Sequence, residues 1–225
     1  MFKAKKGILI PLLPQKQEEV STFIDEQLCK RYIHLFKSLQ MSPVFFVSKK
    51  DGKKWMVQDY HYLNEHMVKN NYPLPLISQL INKLKRAKMF TNMDLQWGYN
   101  NVQIKEGDKW KVAFTCYHSS FKSLVIFFKL CNSPRTLQAM MNEIFADMGD
   151  ICVVYINDLM IFMKSDSKEE HNKVVLEVLC HLEENDLFIK LEKCTFHAEE
   201  VEFLSMVVGK DRVYMDNSKV KAILE

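Results

Sequence analysis

The sequence predicts an α+β protein in which an antiparallel sheet is backed by helices. Three observations carry that reading. Amphipathic segments place apolar residues near every 3.6 positions, β-prone runs broken by turn residues lie between them, and the elements follow as helix, hairpin, helix, strand, hairpin, helix, hairpin, helix, strands.

The first helix is expected in QKQEEVSTFIDEQLCKRYI, where Val20, Phe23, Ile24 and Leu28 share one face. SPVFFVSKKDGKKWMVQDY then sets two β-prone runs around Asp51-Gly52, a strong local hairpin signal. Pro73 and Pro75 keep the chain extended before Ile77, Leu80, Ile81 and Leu84 mark the next helical face. KMFTNMDLQWGYNNVQIK is strand-like, and KVAFTCYHSSFKSLVIFF reads as two strands. SPRTLQAMMNEIFADMG reads as a helix with Leu137, Met141, Ile144, Phe145 and Met148 inward and Gly149 as its stop. Beyond the hairpin in VVYINDLMIFM, a further helix turns Val174, Val175, Val178, Leu179 and Leu182 inward, and LEKCTFHAEEVEFLSMVVGKDRVYM looks like more strands.

With 225 residues, 48% of them hydrophobic, the chain can bury a sizeable core. No apolar run approaches the roughly 18 to 20 residues of a membrane span. GILIPLL is short, is broken by Pro11 and lacks a small-residue cleavage site, so a soluble, unsecreted protein is expected. The six cysteines are scattered without a C-x-x-C pair, which favours buried reduced thiols over a zinc site or disulfide framework. A formal charge of +3 does not by itself mark a polyanion binder, although KKDGKK gathers four lysines around one turn.

Two places stand out chemically. In VVYINDLMIFM, Asn157-Asp158 reads from these residues alone first as a tight turn whose side chains bond their own backbone, with a rigid hairpin holding a carboxylate at its tip for a metal as the sharper alternative. Asp94 interrupts an apolar strand, where a carboxylate is costly to desolvate without a partner; the competing reading is an N-cap for a short helix. Both aspartates lie on strand segments that one sheet can bring together.

The blocks SPVFFVSKKDGKKWMVQDYHYLN, NNYPLPLI, MDLQWGYNNVQIKEGDKWKVAF, NSPRTLQAMMNEIF, VVYIND and LEKCTFHAEEVEFL together resemble, in order and spacing, the reverse transcriptase domain of gypsy-type long-terminal-repeat retrotransposons. The resemblance implies a right-hand polymerase fold. An N-terminal helix and fingers region would span 1–90, and a palm 91–225, with the catalytic hairpin at 151–163 and fingers segments interleaved at 100–135. Thumb, ribonuclease H and integrase regions would be absent. The implied reaction is template-directed addition of a dNTP to a primer on an RNA or DNA template, with two Mg²⁺ ions, for which Mn²⁺ can substitute, and no membrane partner.

By position, the resemblance makes Asp94, Asn157, Asp158 and Lys193 the catalytic set, and Asp94, the Leu95 carbonyl and Asp158 the metal ligands. Lys49, Lys50, Tyr99, Phe128 and Gln138 become the nucleotide-binding residues, with Tyr99 as the aromatic gate beneath the sugar. Lys193 would protonate pyrophosphate. Family context would place the protein in cytoplasmic particles with later nuclear entry.

The chain also departs from that family. Its Tyr-x-Asp-Asp is Tyr155-Ile156-Asn157-Asp158 here, so one full negative charge is missing. A unit charge about 4 Å away is worth roughly 4 kcal/mol at an effective dielectric near 20. That is enough to slow a reaction by roughly a thousandfold, so weak or absent polymerisation is expected. Family arginines appear as Trp55 and His61, which lose the guanidinium fork, and family turn glycines as Arg31, Ser119, Lys129 and Ser205, which add strain wherever φ is positive. Several of these exchanges are single C-to-T or G-to-A steps, as in a decaying silenced element. A non-catalytic nucleic-acid-binding module with the same fold is the other reading.

Overall fold

The computed structural model describes residues 3–5, 7, 11, 14–48, 54–117, 119–210 and 212–215. The expected Asp51-Gly52 turn, with Lys49 and Lys50, lies outside them. The chain forms two compact units, each assembled from two stretches: Met1–Asn70 with Tyr99–Pro134, and Asn71–Gly98 with Arg135–Glu225.

The first unit contains α1 (Pro14–Cys29), β1 (Ile33–Leu35), β2 (Ser42–Ser48), β3 (Lys54–Gln58), α2 (His61–His66), β5 (Ala113–Thr115) and β6 (Ser120–Ser123). Its five-stranded sheet runs β1-β6-β5-β2-β3. The β2–β3 hairpin pairs antiparallel from Val44↔Gln58 to Ser48↔Lys54, as the sequence pattern predicts. A short parallel pairing of β2 with β5, Ser42↔Phe114 and Pro43↔Thr115, was not expected, because it joins segments with no local signal linking them. Val20 and Ile24 of α1 pack with Val44, Phe114 and Phe121 in the core, whereas Leu28, near the helix end, is exposed.

The α1 helix closes in a Schellman motif: the Tyr32 N–H donates to Gln27 O (3.0 Å) and the Arg31 N–H to Leu28 O (3.0 Å), with Arg31 at φ 56°. A second left-handed residue, Lys129 (φ 79°), sits at the third position of the Phe127–Leu130 turn, where a type II geometry calls for glycine. Two asparagines brace this turn. The Asn64 amide donates to Lys129 O (2.8 Å) and its carbonyl accepts from Cys131 N (2.9 Å). Asn132 reciprocates, accepting from Asn70 N (3.0 Å) and donating to Val68 O (2.8 Å).

The second unit contains α3 (Ile77–Leu84), β4 (Met89–Asp94), most of α4 (Ser133–Ile144), β7 (Cys152–Tyr155), β8 (Asp158–Met163), α5 (Lys168–Glu184), β9 (Thr195–Ala198), β10 (Glu200–Phe203), β11 (Met206–Gly209) and β12 (Arg212–Met215). One antiparallel sheet runs β7-β8-β4-β9, and β10-β11-β12 form a separate meander. The helices bury the faces their periodicity predicts: Leu80, Ile81 and Leu84 from α3; Leu137 and Met141 from α4; Val175, Val178 and Leu182 from α5. Ile77 and Ile144 are less enclosed than expected because both lie at helix ends. Ser167 caps α5 by accepting from Glu170 N (3.3 Å).

The inward face of α5 also carries His171, fully buried, whose Nε2 hydrogen-bonds the Thr91 hydroxyl of β4 (2.8 Å). The His197 N–H of β9 donates to the same hydroxyl (3.2 Å), and the two imidazoles meet edge to face at 5.2 Å. Burial, reinforced by His197, pushes the His171 pKa down to about 4. The β10–β11 hairpin turns through Leu204 (φ 50°) and Ser205 (φ 72°), the paired positive φ of a type I′ turn.

All six cysteines are unpaired thiols, but only Cys116 and Cys152 are buried; Cys29 and Cys180 are exposed, contrary to the expectation of six buried thiols. Cys29 ends α1 and Cys180 falls on the outer face of α5. Among the described residues no helix is long and apolar enough to cross a membrane.

Candidate active site

Asp94 closes β4 and Asp158 opens β8, and the register of that pairing sets them directly opposite one another. Directly opposed residues of an antiparallel pair present side chains on one face with Cα atoms about 4.5 to 5.5 Å apart. Two carboxylates so placed repel unless a cation lies between or beside them. Burial raises the Asp158 pKa, and the facing Asp94 raises it further, while Lys193 works in the opposite direction. The N-cap reading of Asp94 is thereby set aside, since the residue ends a strand.

Lys193 reaches the pair from the 3₁₀ turn Leu191–Lys193, with Nζ 3.0 Å from Asp94 Oδ2. Backbone bonds fix the approach: the Lys190 N–H donates to Asp94 O (2.8 Å), and Gln96 N donates to Phe188 O (2.7 Å). Leu95, buried, bridges to Ile189 and donates its N–H to Asn157 O (2.9 Å), so the hairpin bend is tied to the residue after Asp94. Asp94, Leu95, Asn157, Asp158 and Lys193 are therefore all brought together.

The bend itself differs from the sequence expectation of an Asn157-Asp158 turn. Tyr155 pairs with Asp158, leaving Ile156 and Asn157 as the two turn residues. Positive φ falls on Ile156 (57°), a β-branched residue for which that conformation is costly. The Asn157 Oδ1 is buried without a hydrogen-bond partner. It fills the space beside Gly98, where a Cβ would collide with Oδ1 and would meet Asn157 Cγ at 3.1 Å and Leu137 Cδ2 at 3.2 Å. Gly98 thus provides a slot for the Asn157 carboxamide, a role that only the fold reveals.

Gln138, expected to contact nucleotide, is fully buried in α4 and holds the hairpin instead. Its Oε1 accepts from Ile156 N (2.8 Å), while Nε2 donates to Val154 O (3.1 Å) and to Asn142 Oδ1 (2.8 Å). Asn142 in turn donates to the Tyr72 hydroxyl (2.8 Å), extending the brace.

Tyr99 and Phe128 lie in the first unit. Tyr99, in the 3₁₀ turn Gly98–Asn101, has its ring 6.4 Å from that of Phe128. Phe128 is exposed and carries Lys129 Nζ 5.7 Å above its ring. Lys49 and Lys50 lie outside the described residues. Among the described residues no group of three or more His, Cys, Asp or Glu side chains is arranged to hold a metal.

The chain is similar to known proteins in sequence and in fold. Residues 47–208 match the family model described as reverse transcriptase (RNA-dependent DNA polymerase). The Tf2-3 and Tf2-7 transposon polyproteins of Schizosaccharomyces pombe are 37% and 36% identical over 201 residues, which is 89% of this chain. The chain spans only 15% of the length of those polyproteins. Two foamy viral protease-reverse transcriptase structures, one in complex with RNA/DNA hybrid and one with double-stranded DNA, superpose with TM-scores of 0.90 and 0.91 at 20% identity. Both alignments cover all of this chain, against 30% and 39% of the viral chains. The fold is thus that of a polymerase palm with its neighbouring region, and the chain belongs to the reverse transcriptase family, in the branch carried by retrotransposon polyproteins.

Proposed function

We propose that this chain is a template-directed DNA polymerase domain whose chemistry is severely weakened by Asn157. It would extend a primer on an RNA or DNA template by one dNTP at a time. The opposed Asp94 and Asp158 carry the reading: two carboxylates face each other at one sheet position beside a lysine. The first unit would serve as fingers and the second as palm.

Asp94 and Asp158 offer the hard oxygen donors that suit Mg²⁺, and the Leu95 carbonyl is the further candidate. Bound there, the ion would supply charge stabilisation to the attacking and leaving oxygens. The donor set fits one such ion and falls short of the family's pair, because the third position is a neutral amide turned toward Gly98.

The chain's own groups account for the rest. Tyr99 and Phe128 would pack against sugar and base, Lys49 and Lys50 would contact phosphate or template, and Lys193 would hold the proton destined for pyrophosphate. Gln138 positions the hairpin rather than touching nucleotide.

Primer extension on an RNA template with Mg²⁺ or Mn²⁺, comparing the native chain with Asn157→Asp, tests the proposal. The substituted chain should extend at least a hundredfold faster, on the order expected for restoring a charge beside a cation. Robust extension by the native chain would remove the claim of impairment. If neither form extends and both bind a primer-template duplex, a non-catalytic binding module is the better description.

A further inference from the structure

We infer that the groove between α1 and the β1–β6 edge of the first unit docks a polypeptide segment in which large apolar side chains stand beside lysine or arginine. The groove belongs wholly to that unit, and none of its residues takes part in the Asp94–Asp158 chemistry.

Shape is the first argument. A cavity of about 420 Å³ opens beside α1. Its floor is Ile24, Cys116 and Phe121, all buried, and its rim carries Leu28 and Leu35, 38% and 59% exposed, with Asp25 next to them. Ile24, Asp25 and Leu28 lie within one helical turn and share a side of α1, while Leu35 ends β1, the outermost strand of its sheet. The Tyr117 hydroxyl donates to Gln17 O (2.9 Å), which ties the segment after β5 to the start of α1 and holds the two walls at their spacing. A small molecule is retained by burying most of its surface, and a mouth rimmed by two open leucines leaves too much of one in water. A chain segment avoids that loss, because its flanking residues cover the rim.

Charge is the second argument, and it selects the segment. Between Lys16 and Lys30 the chain carries Glu18, Glu19, Asp25 and Glu26, all exposed, and no lysine or arginine, although its net charge is +3. Lys16 itself stands over the Phe46 ring, 5.9 Å from the centroid. Among the described residues Asp25 forms no salt bridge. Such a surface repels phosphate and attracts cations, so the occupant is a basic apolar peptide and not a nucleic acid. Apolar anchors on the floor supply affinity, and the ion pair at the rim supplies the choice of partner.

Three fluorescently labelled peptides, read by anisotropy on the folded chain, test the inference. One alternates leucine with lysine, the second has glutamate for each lysine, and the third has serine for each leucine; methyl NMR spectra report Leu28 and Leu35. The leucine–lysine peptide should bind and shift both methyl sets, and the other two should not. Asp25→Asn should weaken binding about twofold to fivefold, the range of an exposed ion pair, and Leu35→Ser about tenfold. Both positions are exposed, so circular dichroism should stay native in each variant. Equal affinity for the native chain and both variants, or equal binding of the serine–lysine peptide, would overturn the inference by placing the attraction elsewhere. A native dimer in sedimentation equilibrium that Leu35→Ser converts to monomer would also overturn it, by giving the groove to a second copy.

Discussion

Replacing Arg31, Lys129 and Ser205 by glycine should make the protein more stable, although each substitution deletes side-chain atoms. All three have positive φ: 56°, 79° and 72°. They occupy the left-handed C′ position of a Schellman motif, the third position of a type II turn and the second central position of a type I′ turn, the places where glycine is least strained. A left-handed L-residue costs about 1 to 2 kcal/mol. Glycine returns about 0.5 to 1 kcal/mol of that as extra freedom in the unfolded chain. The net gain is about 0.5 to 1 kcal/mol per site, less at Lys129, whose ammonium stands over the Phe128 ring. The sites are separate and their effects should add to about 2 kcal/mol, or a midpoint rise of about 4 to 8 °C. Urea and thermal unfolding of the native and triple-glycine chains measure it. Lys173→Gly, on the exposed face of α5, is the control and should cost about 1 kcal/mol. If the three positive-φ sites lose stability as the control does, backbone strain is not what they store.

Two further outcomes are expected. His171 has a folded-state pKa near 4 against an ordinary value of 6.5, so between those limits the unfolded chain binds more protons and stability rises with pH. The contribution is complete above about pH 6.5 and lost as pH falls toward 4, amounting to roughly 3 kcal/mol at most. Urea midpoints from pH 7.5 to 4.5 should show that slope, and His171→Gln, which does not titrate, should flatten it. Gln138→Ala strips Val154 O and Ile156 N of their partner, and should cost about 2 to 4 kcal/mol and speed hydrogen exchange at the Ile156 amide. An Ile156 amide as protected as in the native chain would refute its role as the hairpin's brace.

Periodicity made the helices legible: the inward residues of α3, α4 and α5 repeat at spacings that any window reveals, because each packs one stripe. Asp94 and Asp158 were legible for the opposite reason, as charges in apolar strands that demand a partner. What the pattern could not convey was how polar side chains are used. Gln138 looks like an ordinary helical glutamine, and only the fold places it against Val154 and Ile156. His171 falls on the apolar face of α5 and could have been flagged there, yet its Thr91 partner lies on a different element. The bend defied turn chemistry, since Ile156 takes the positive φ that Asn157 would tolerate better. The parallel β2–β5 pairing and the six-residue α2 are too short to leave a periodic trace.

Strand order has a consequence for how such a chain is made. β4 lies between β8 and β9, and both neighbours are encoded well after it. During synthesis from the N-terminus, a strand destined for the sheet interior therefore leaves the ribosome with two bare edges and waits for more than sixty further residues before the first partner starts at Asp158. Nascent chains arrested in that interval carry an open ladder able to pair with one another. Shielding by a chaperone during that delay, rather than the strength of the finished sheet, would then govern how much soluble protein a cell recovers.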